Sequence, residues 1–399
     1  MHSQTSATSD KLTNSAASEL PALGIDPTWV TRTEPLTDGL SEARLWRLWL
    51  RIPLDPALEN TAYWSARRVL KLIAPLQGWL SVASEDTAVR EVALWASGLL
   101  DDLPHAITTS VLDWAHIPAS PLSCWERGPE GAVGALLMRD MQAYLMRDPL
   151  RTPSGHHPQL IARLLDHLAR LHARFWEDPR LRDNTPEYAL LTPLHSTLLL
   201  MAPQTIADRL ALGDANPYLP LARRGWEAFF HLAPPADANV LRAVLADPTL
   251  WLRAIAALPR TLIHGDVWGP NMGWAHATHS APRTGRRLLL LDWALTATAP
   301  ATFDPLWLCG AWHAIEPTRL LAAYRAHLIR HLAARGISLT QTQWLALADA
   351  GYLRTALTCG EAFGRAAEDA PPGAARQRAE TRIRWWAQRA SLAARRLID

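Results

Sequence analysis

Residues 261–274 read TLIHGDVWGPNMGW, and residues 286–295, beyond a polar turn, read RRLLLLDWAL. The first string opens on a short apolar run and then turns polar, with His264, Gly265 and Asp266 in succession and Asn271 five positions after the aspartate. The second is an unbroken apolar run that ends in Asp292, 21 residues after Asn271. Between them, AHATHSAPRTGR is rich in residues that favour loops. A strand, a loop, a hairpin turn and a second strand fit this pattern. That order brings Asp266, Asn271 and Asp292 to one cleft, with His264 supporting the loop.

Upstream, the period of the apolar residues divides the chain. From Val30 to Ile52 the sequence alternates around the turn Thr37-Asp38-Gly39-Leu40-Ser41, with Trp46, Leu48, Leu50 and Ile52 on one face, as in a hairpin. SARRVLKLIAP (65–75) gives a strand with Lys71 between two leucines, and the segment from Thr87 gives a helix carrying Glu91. Further strands are expected at Thr108–His116 and Gly134–Met138. Beyond residue 139 the period changes to three or four: HPQLIARLLDHLARLHARFWEDPRL (157–181) repeats leucine at 160, 164, 168 and 171 and stops at Asp178-Pro179. Helical blocks follow at 221–232 and 238–257, and the chain from Pro305 onward is mostly helical.

On these residues the chain resembles the aminoglycoside phosphotransferase and choline kinase superfamily, small-molecule kinases with a protein-kinase-like fold. The HGDxxxxN loop of that superfamily corresponds to His264–Asn271, and its strand end IDW to Leu291–Trp293. Lys71, Glu91 and the helix around His172 stand in matching order, and FDPLWL at Asp304 resembles the start of the bracing helix. The likeness spans about Thr31 to Trp312. It implies an α+β, bilobal fold with a small antiparallel-sheet N-lobe (26–139) and a larger, mainly helical C-lobe (140–399); ahead of it, residues 1–25, rich in Ser, Thr and Ala, read as a disordered leader. The C-lobe would hold a catalytic loop at 262–274, a metal-binding strand end at 288–293 and the acceptor-binding helices.

The implied activity is transfer of the γ-phosphate of ATP to a hydroxyl of a small molecule. A carboxylate beside the nucleophilic oxygen can position it and accept its proton, which is the role of Asp266. Mg²⁺ prefers oxygen ligands from few protein groups, a part suited to Asn271 and Asp292. Lys71 would hold the non-reacting phosphates and Glu91 would anchor its ammonium. Gly39 and Ser41 in the turn, which has no GxGxxG, and Met138 ahead of the hinge residues Arg139-Asp140 complete the nucleotide contacts. His264 and Asp304 are structural supports, although Asp304 before Pro305 also reads as a helix N-cap. Ala294 stands where relatives often carry Glu.

Composition narrows the alternatives. The 399 residues are 49% hydrophobic, enough for a substantial core. Forty Lys and Arg against 38 Asp and Glu leave a net charge of +2, interleaved along the chain, so no nucleic-acid partner is expected. No window reaches the roughly 18–20 apolar residues of a membrane span, and three scattered cysteines fit a cytoplasmic setting. A monomer or homodimer is expected. Nineteen tryptophans stand out beside five phenylalanines; most suit core packing, with Trp268 placed to touch an acceptor beside Asp266. Asp349, Glu361, Glu368 and Asp369 read as a solvated helix face or as contacts for a cationic acceptor. Two other readings remain open at this point: a catalytically inactive nucleotide-binding or scaffold protein, and a zinc hydrolase built from His264, Asp266, His276, His279 and Asp292.

Overall fold

The computed structural model describes residues 20–36, 43–54, 63–73, 79–118, 132–146, 158–183, 185–275, 287–311 and 315–399. The chain divides into two compact units, Met1–Asp101 with Thr109–Tyr144, and Asp102–Thr108 with Leu145–Asp399. The first is an antiparallel-sheet region and the second is larger and mainly helical, as the α+β reading expects.

In the first unit β1 (Val30–Leu36), β2 (Arg44–Pro53), β3 (Tyr63–Ile73), β5 (Val111–Pro118) and β6 (Ala132–Arg139) form a five-stranded sheet in the order β1-β2-β3-β6-β5. Every neighbouring pair is antiparallel. The two-residue alternation of β2 sends Trp46, Leu48 and Leu50 to one face, where they pack with Leu70, Leu72, Ala135 and Leu137. Leu20, Leu23 and Ile25 complete this core. Residues 20–25, which the sequence assigned to the leader, are therefore structured, because three apolar side chains there cover the sheet. After β3 come two short helices, α1 (Trp79–Ala83) and α2 (Arg90–Ala96), and the opposite face of the sheet presents Lys71 and Leu136 to α2, which supplies Val92 to the packing.

In the second unit, β7 (Thr261–Ile263) pairs with β10 (Ala297–Ala299), and β8 (Met272–Ala275) forms an antiparallel hairpin with β9 (Arg287–Leu290). The two-residue β4 (Ile107–Thr108) adds to β9 in parallel. Helices α3 (Pro158–Arg174), α4 (Pro186–Ala189), α5 (Leu194–Leu199), α6 (Pro203–Ala211) and α7 (Tyr218–Leu232) precede these strands. The expected helix 238–257 is two helices, α8 (Pro235–Ala246) and α9 (Thr249–Ala256), because Asp247 leaves the helical conformation ahead of Pro248. After β10 come α10 (Phe303–Ala311), α11 (Pro317–Ala333), the 28-residue α12 (Gln341–Glu368) and α13 (Ala374–Arg396). Thr340 and Gln343 start α12 with a capping box.

Glycine permits the tightest contact in this unit. A Cβ on Gly364 would lie inside the carbonyl of Gly225, and one on Gly360 would enter the indole of Trp226. Helices α7 and α12 therefore approach backbone to backbone. Asp349 and Glu361 on α12 are buried, contrary to the solvated-face reading. Glu361 accepts a hydrogen bond from the Tyr218 hydroxyl at 2.5 Å and another from Arg365 at 2.8 Å. Among the described tryptophans, 46, 79, 176, 226, 293, 344 and 386 are buried in the core, and most of the others are partly or largely exposed. No helix among the described residues is long and apolar enough to cross a membrane.

Candidate active site

The segment 262–274 is built on β7, whose three residues are all buried. Immediately after it, Gly265 adopts φ +85°, and a Cβ there would collide with the carbonyl of Leu295. Only glycine fits that turn. The backbone N–H groups of His264 and Gly265 both donate to the carboxylate of Asp304, at 2.8 and 2.9 Å. Asp304 thus lies inside the first turn of α10 and binds the loop, so it is not the N-cap that Pro305 suggested.

Asp304 is itself fully buried and lies 3.1 Å from His172 Nε2, while His172 Nδ1 is 2.5 Å from the Tyr324 hydroxyl. Burial alone would raise the pKa of Asp304. The hydrogen bond and charge of His172, helped by His264, outweigh it and hold the carboxyl below the usual range. Thr261 Oγ1 also donates to the backbone carbonyl of His172, tying α3 to β7.

His264 links the loop to the second strand. Its Nδ1 accepts from the backbone N–H of Asp266 at 3.3 Å, so the proton is on Nε2, which donates to the carbonyl of Leu291 at 2.9 Å. The ring also packs on Trp293, with centroids 4.7 Å apart. With both nitrogens engaged, His264 cannot serve as a zinc ligand. Among the described residues no group of three or more His, Cys, Asp or Glu side chains could hold a metal ion. His276 and His279 lie outside the described residues.

The three chemistry-bearing residues come together as their spacing suggested. Asn271 closes a single 3₁₀ turn, Gly269–Asn271, and its Nδ2 donates to Asp266 Oδ2 at 2.7 Å. The Asn271 carbonyl accepts from the backbone N–H of Leu291 at 2.9 Å, which draws the strand end alongside. Asp292 then turns the chain in the left-handed region, at φ 61°, a conformation aspartate tolerates better than most residues. Burial, and next the negative charge of Asp292, push the Asp266 carboxyl up to about 7, against Arg354 and the Asn271 hydrogen bond. Asp266, Asp292 and the Asn271 side-chain amide together offer oxygens of the kind that suit a hard divalent cation.

In the other unit, Lys71 Nζ donates to Glu91 Oε2 at 2.6 Å, and both residues are buried. The helix bearing Glu91 begins at Val89, whose left-handed φ of 51° is strained for a β-branched residue. Val89 is held by packing into the hollow left by Gly134. Met138 is half-buried and lies in register with Val69 and Val111. Asp140 accepts from Arg47 Nε at 2.9 Å, and Arg47 also reaches Glu34 and Gln142, so the connector leaving the sheet is fastened to β2. Gly39 and Ser41 fall outside the described residues.

Trp268, two residues after Asp266, is half-buried, whereas Trp293 is fully buried and Trp307 stacks on a guanidinium. Trp312 lies outside the described residues. That guanidinium belongs to Arg354, the main residue the sequence reading missed; its Nη2 donates to the Gly265 carbonyl at 3.1 Å. A separate cavity of about 780 Å³ opens among α6, α7 and α8, lined by Trp226, Phe230, Arg223 and Arg242 among others, and no residue of the loop lines it.

No family model matches the chain, and no curated protein matches it. Solved structures of similar fold include the choline kinase of Cryptosporidium parvum, at 9% identity over 98% of this chain and 97% of that one, with a TM-score of 0.47. The ethanolamine kinase of Plasmodium vivax is similar at 12% identity over 93% of this chain and 87% of that one, with a TM-score of 0.45. A choline/ethanolamine kinase family protein of Mesorhizobium loti is similar at 16% identity over 96% and 99%, with a TM-score of 0.39.

Proposed function

We propose that the chain is a phosphotransferase that moves the γ-phosphate of ATP to a hydroxyl of a small molecule. The observation that carries this reading is the arrangement of Asp266 and Asp292 around Asn271. Asp266 receives the Asn271 amide N–H on one carboxylate oxygen, and its other oxygen is available to orient an acceptor hydroxyl and take its proton. A carboxyl with a pKa of about 7 is well matched to exchange that proton at neutral pH. Asn271, through Oδ1, and Asp292 would hold Mg²⁺, which when bound neutralises charge on the β- and γ-phosphate oxygens.

Lys71 supports the same reading. A buried ammonium 2.6 Å from a buried carboxylate is a costly arrangement to build for stability alone, and it supplies a fixed cation for the non-reacting phosphates. Asp304, His172 and His264 act on the loop by fixing the amides that lead into Asp266, so the carboxylate is aimed before substrate arrives. Trp268, next but one to Asp266, is the residue proposed to touch the acceptor.

The test is ADP release from Mg·ATP across a panel of amino alcohols, aminoglycosides, macrolides and sugars, with Asp266→Ala as control. Acceptor-dependent turnover that disappears in D266A supports the kinase. ATP binding with no acceptor raising turnover above D266A favours a nucleotide-binding scaffold.

A further inference from the structure

Arg354 lies near the middle of α12 and is 2% exposed, yet it has no carboxylate within ion-pair distance among the described residues. Its guanidinium sits 4.2 Å over the ring of Trp307 and 5.6 Å from that of Phe303. Nη2 donates to the Gly265 carbonyl at 3.1 Å, while Nε and Nη1 are buried without a hydrogen-bond acceptor. Asp266 and Asp304 act on it only through space. Taking a cation out of water for one hydrogen bond is expensive, and an apolar side chain of similar length would fill the same space without that cost. Packing therefore does not account for a guanidinium here.

We infer that Arg354 is a positioning residue that aims Asp266 by holding the Gly265–Asp266 peptide. The inference rests on the phosphotransferase reading for its effect on rate, and on geometry for the rest. Gly265 is the one residue of the turn without a Cβ, so its ψ has the most freedom and sets where the next side chain points. The N–H groups on either side are held separately, those of His264 and Gly265 by Asp304 and that of Asp266 by His264 Nδ1, while Asn271 Nδ2 reaches the next carbonyl, that of Asp266, at 3.3 Å. Arg354 holds the Gly265 carbonyl. An anion on the N–H groups and a cation on the C=O grip the turn from both ends of its peptide dipoles.

The experiment compares wild type, Arg354→Met and Arg354→Lys as full chains, by amide hydrogen exchange of the segment 262–267 and by steady-state kinetics with Mg·ATP and an active acceptor. R354M should fold, with exchange in that segment faster by about tenfold and kcat lower by about 100-fold at little-changed KM for ATP. R354K, whose ammonium still donates to the carbonyl, should restore part of both. Unchanged exchange in 262–267 of folded R354M, or activity lost only in proportion to folded protein, would overturn the inference. Absence of turnover in the wild type would count against the phosphotransferase reading, while the exchange result would still decide the role of Arg354.

Discussion

Asp304 grips His264 through the backbone: Oδ2 accepts the His264 N–H at 2.8 Å while the neighbouring oxygen takes that of Gly265. The same Oδ2 lies 3.1 Å from His172 Nε2, so one buried carboxylate joins α3, α10 and the turn ahead of Asp266. Three of the group's roughly four lone-pair directions are used. Nothing apolar can replace it without leaving buried donors unpaired.

Asp304→Asn should accordingly cost about 3–5 kcal/mol, the range for breaking a buried charged pair, since the new amide N–H₂ meets donors where the carboxylate accepted. The folded pKa of Asp304 is depressed, so its contribution is present above the unfolded value of about 3.9 and is lost as pH falls through the folded one. Urea unfolding of wild type and D304N should show a gap that is constant from pH 8 to 5 and narrows only in stronger acid. A gap that appeared only at alkaline pH would mean that Asp304 is protonated in the native state.

Lys71 and Glu91 make a second buried pair, at 2.6 Å, and neither side chain has much water to fall back on. Lys71→Met takes the ammonium away from a buried carboxylate and should destabilise by about 3–5 kcal/mol. The double variant Lys71→Met/Glu91→Gln should recover part of that loss, with a coupling of about 1–3 kcal/mol in a double-mutant cycle. Additive losses would show that the two charges are solvated separately. Glu91→Gln alone should raise KM for ATP by loosening the ammonium, with Lys71 still present to bind.

Much of the fold was legible because the informative residues are neighbours in sequence. The alternation in β2 and the leucine repeat of α3 are local patterns, and His264, Asp266 and Asn271 fall within eight residues. The parallel pairing of Ile107 with Leu288 was not legible, since two residues carry no period and their partners lie far along the chain. The break before Pro248 was hidden by an apolar repeat that runs on through it. Arg354 left one usable trace: it is the only charged residue from Ala350 to Gly360, a stretch of small and apolar side chains. A lone cation in such a run must be buried, and a buried cation needs a reason. The target that supplies the reason, the Gly265 carbonyl, lies 89 residues away and is visible only in three dimensions.

The crossing of α7 and α12 gives a prediction independent of any activity. Gly364→Ala pushes a methyl into the backbone of Gly225, where no flexible side chain can give way. The helices must separate, at about 1–3 kcal/mol for overpacking, which outweighs the better helix propensity of alanine, worth about 1 kcal/mol. Thermal unfolding of G364A should therefore shift down. An unchanged or raised Tm would mean that the two helices are not in backbone contact.

Asp266 should make the metal-free protein less stable as pH rises. Burial and Asp292 lift its folded pKa to about 7, above the unfolded value of about 3.9. Between those limits the unfolded chain gives up a proton that the native state retains, so the native state loses ground through this window and no further above it. Asp266→Asn removes the titration while keeping the shape. With chelator present, D266N should match wild type near pH 4, gain on it up to pH 7, and hold a constant lead in Tm from there to pH 9. Millimolar Mg²⁺ at pH 8 should shrink that lead, because a cation held by Asn271 and Asp292 offsets the repulsion that Asp266 feels when ionised. A lead that is flat with pH would mean that Asp266 is already ionised in the native state, and a lead insensitive to Mg²⁺ would remove Asn271 and Asp292 as ligands.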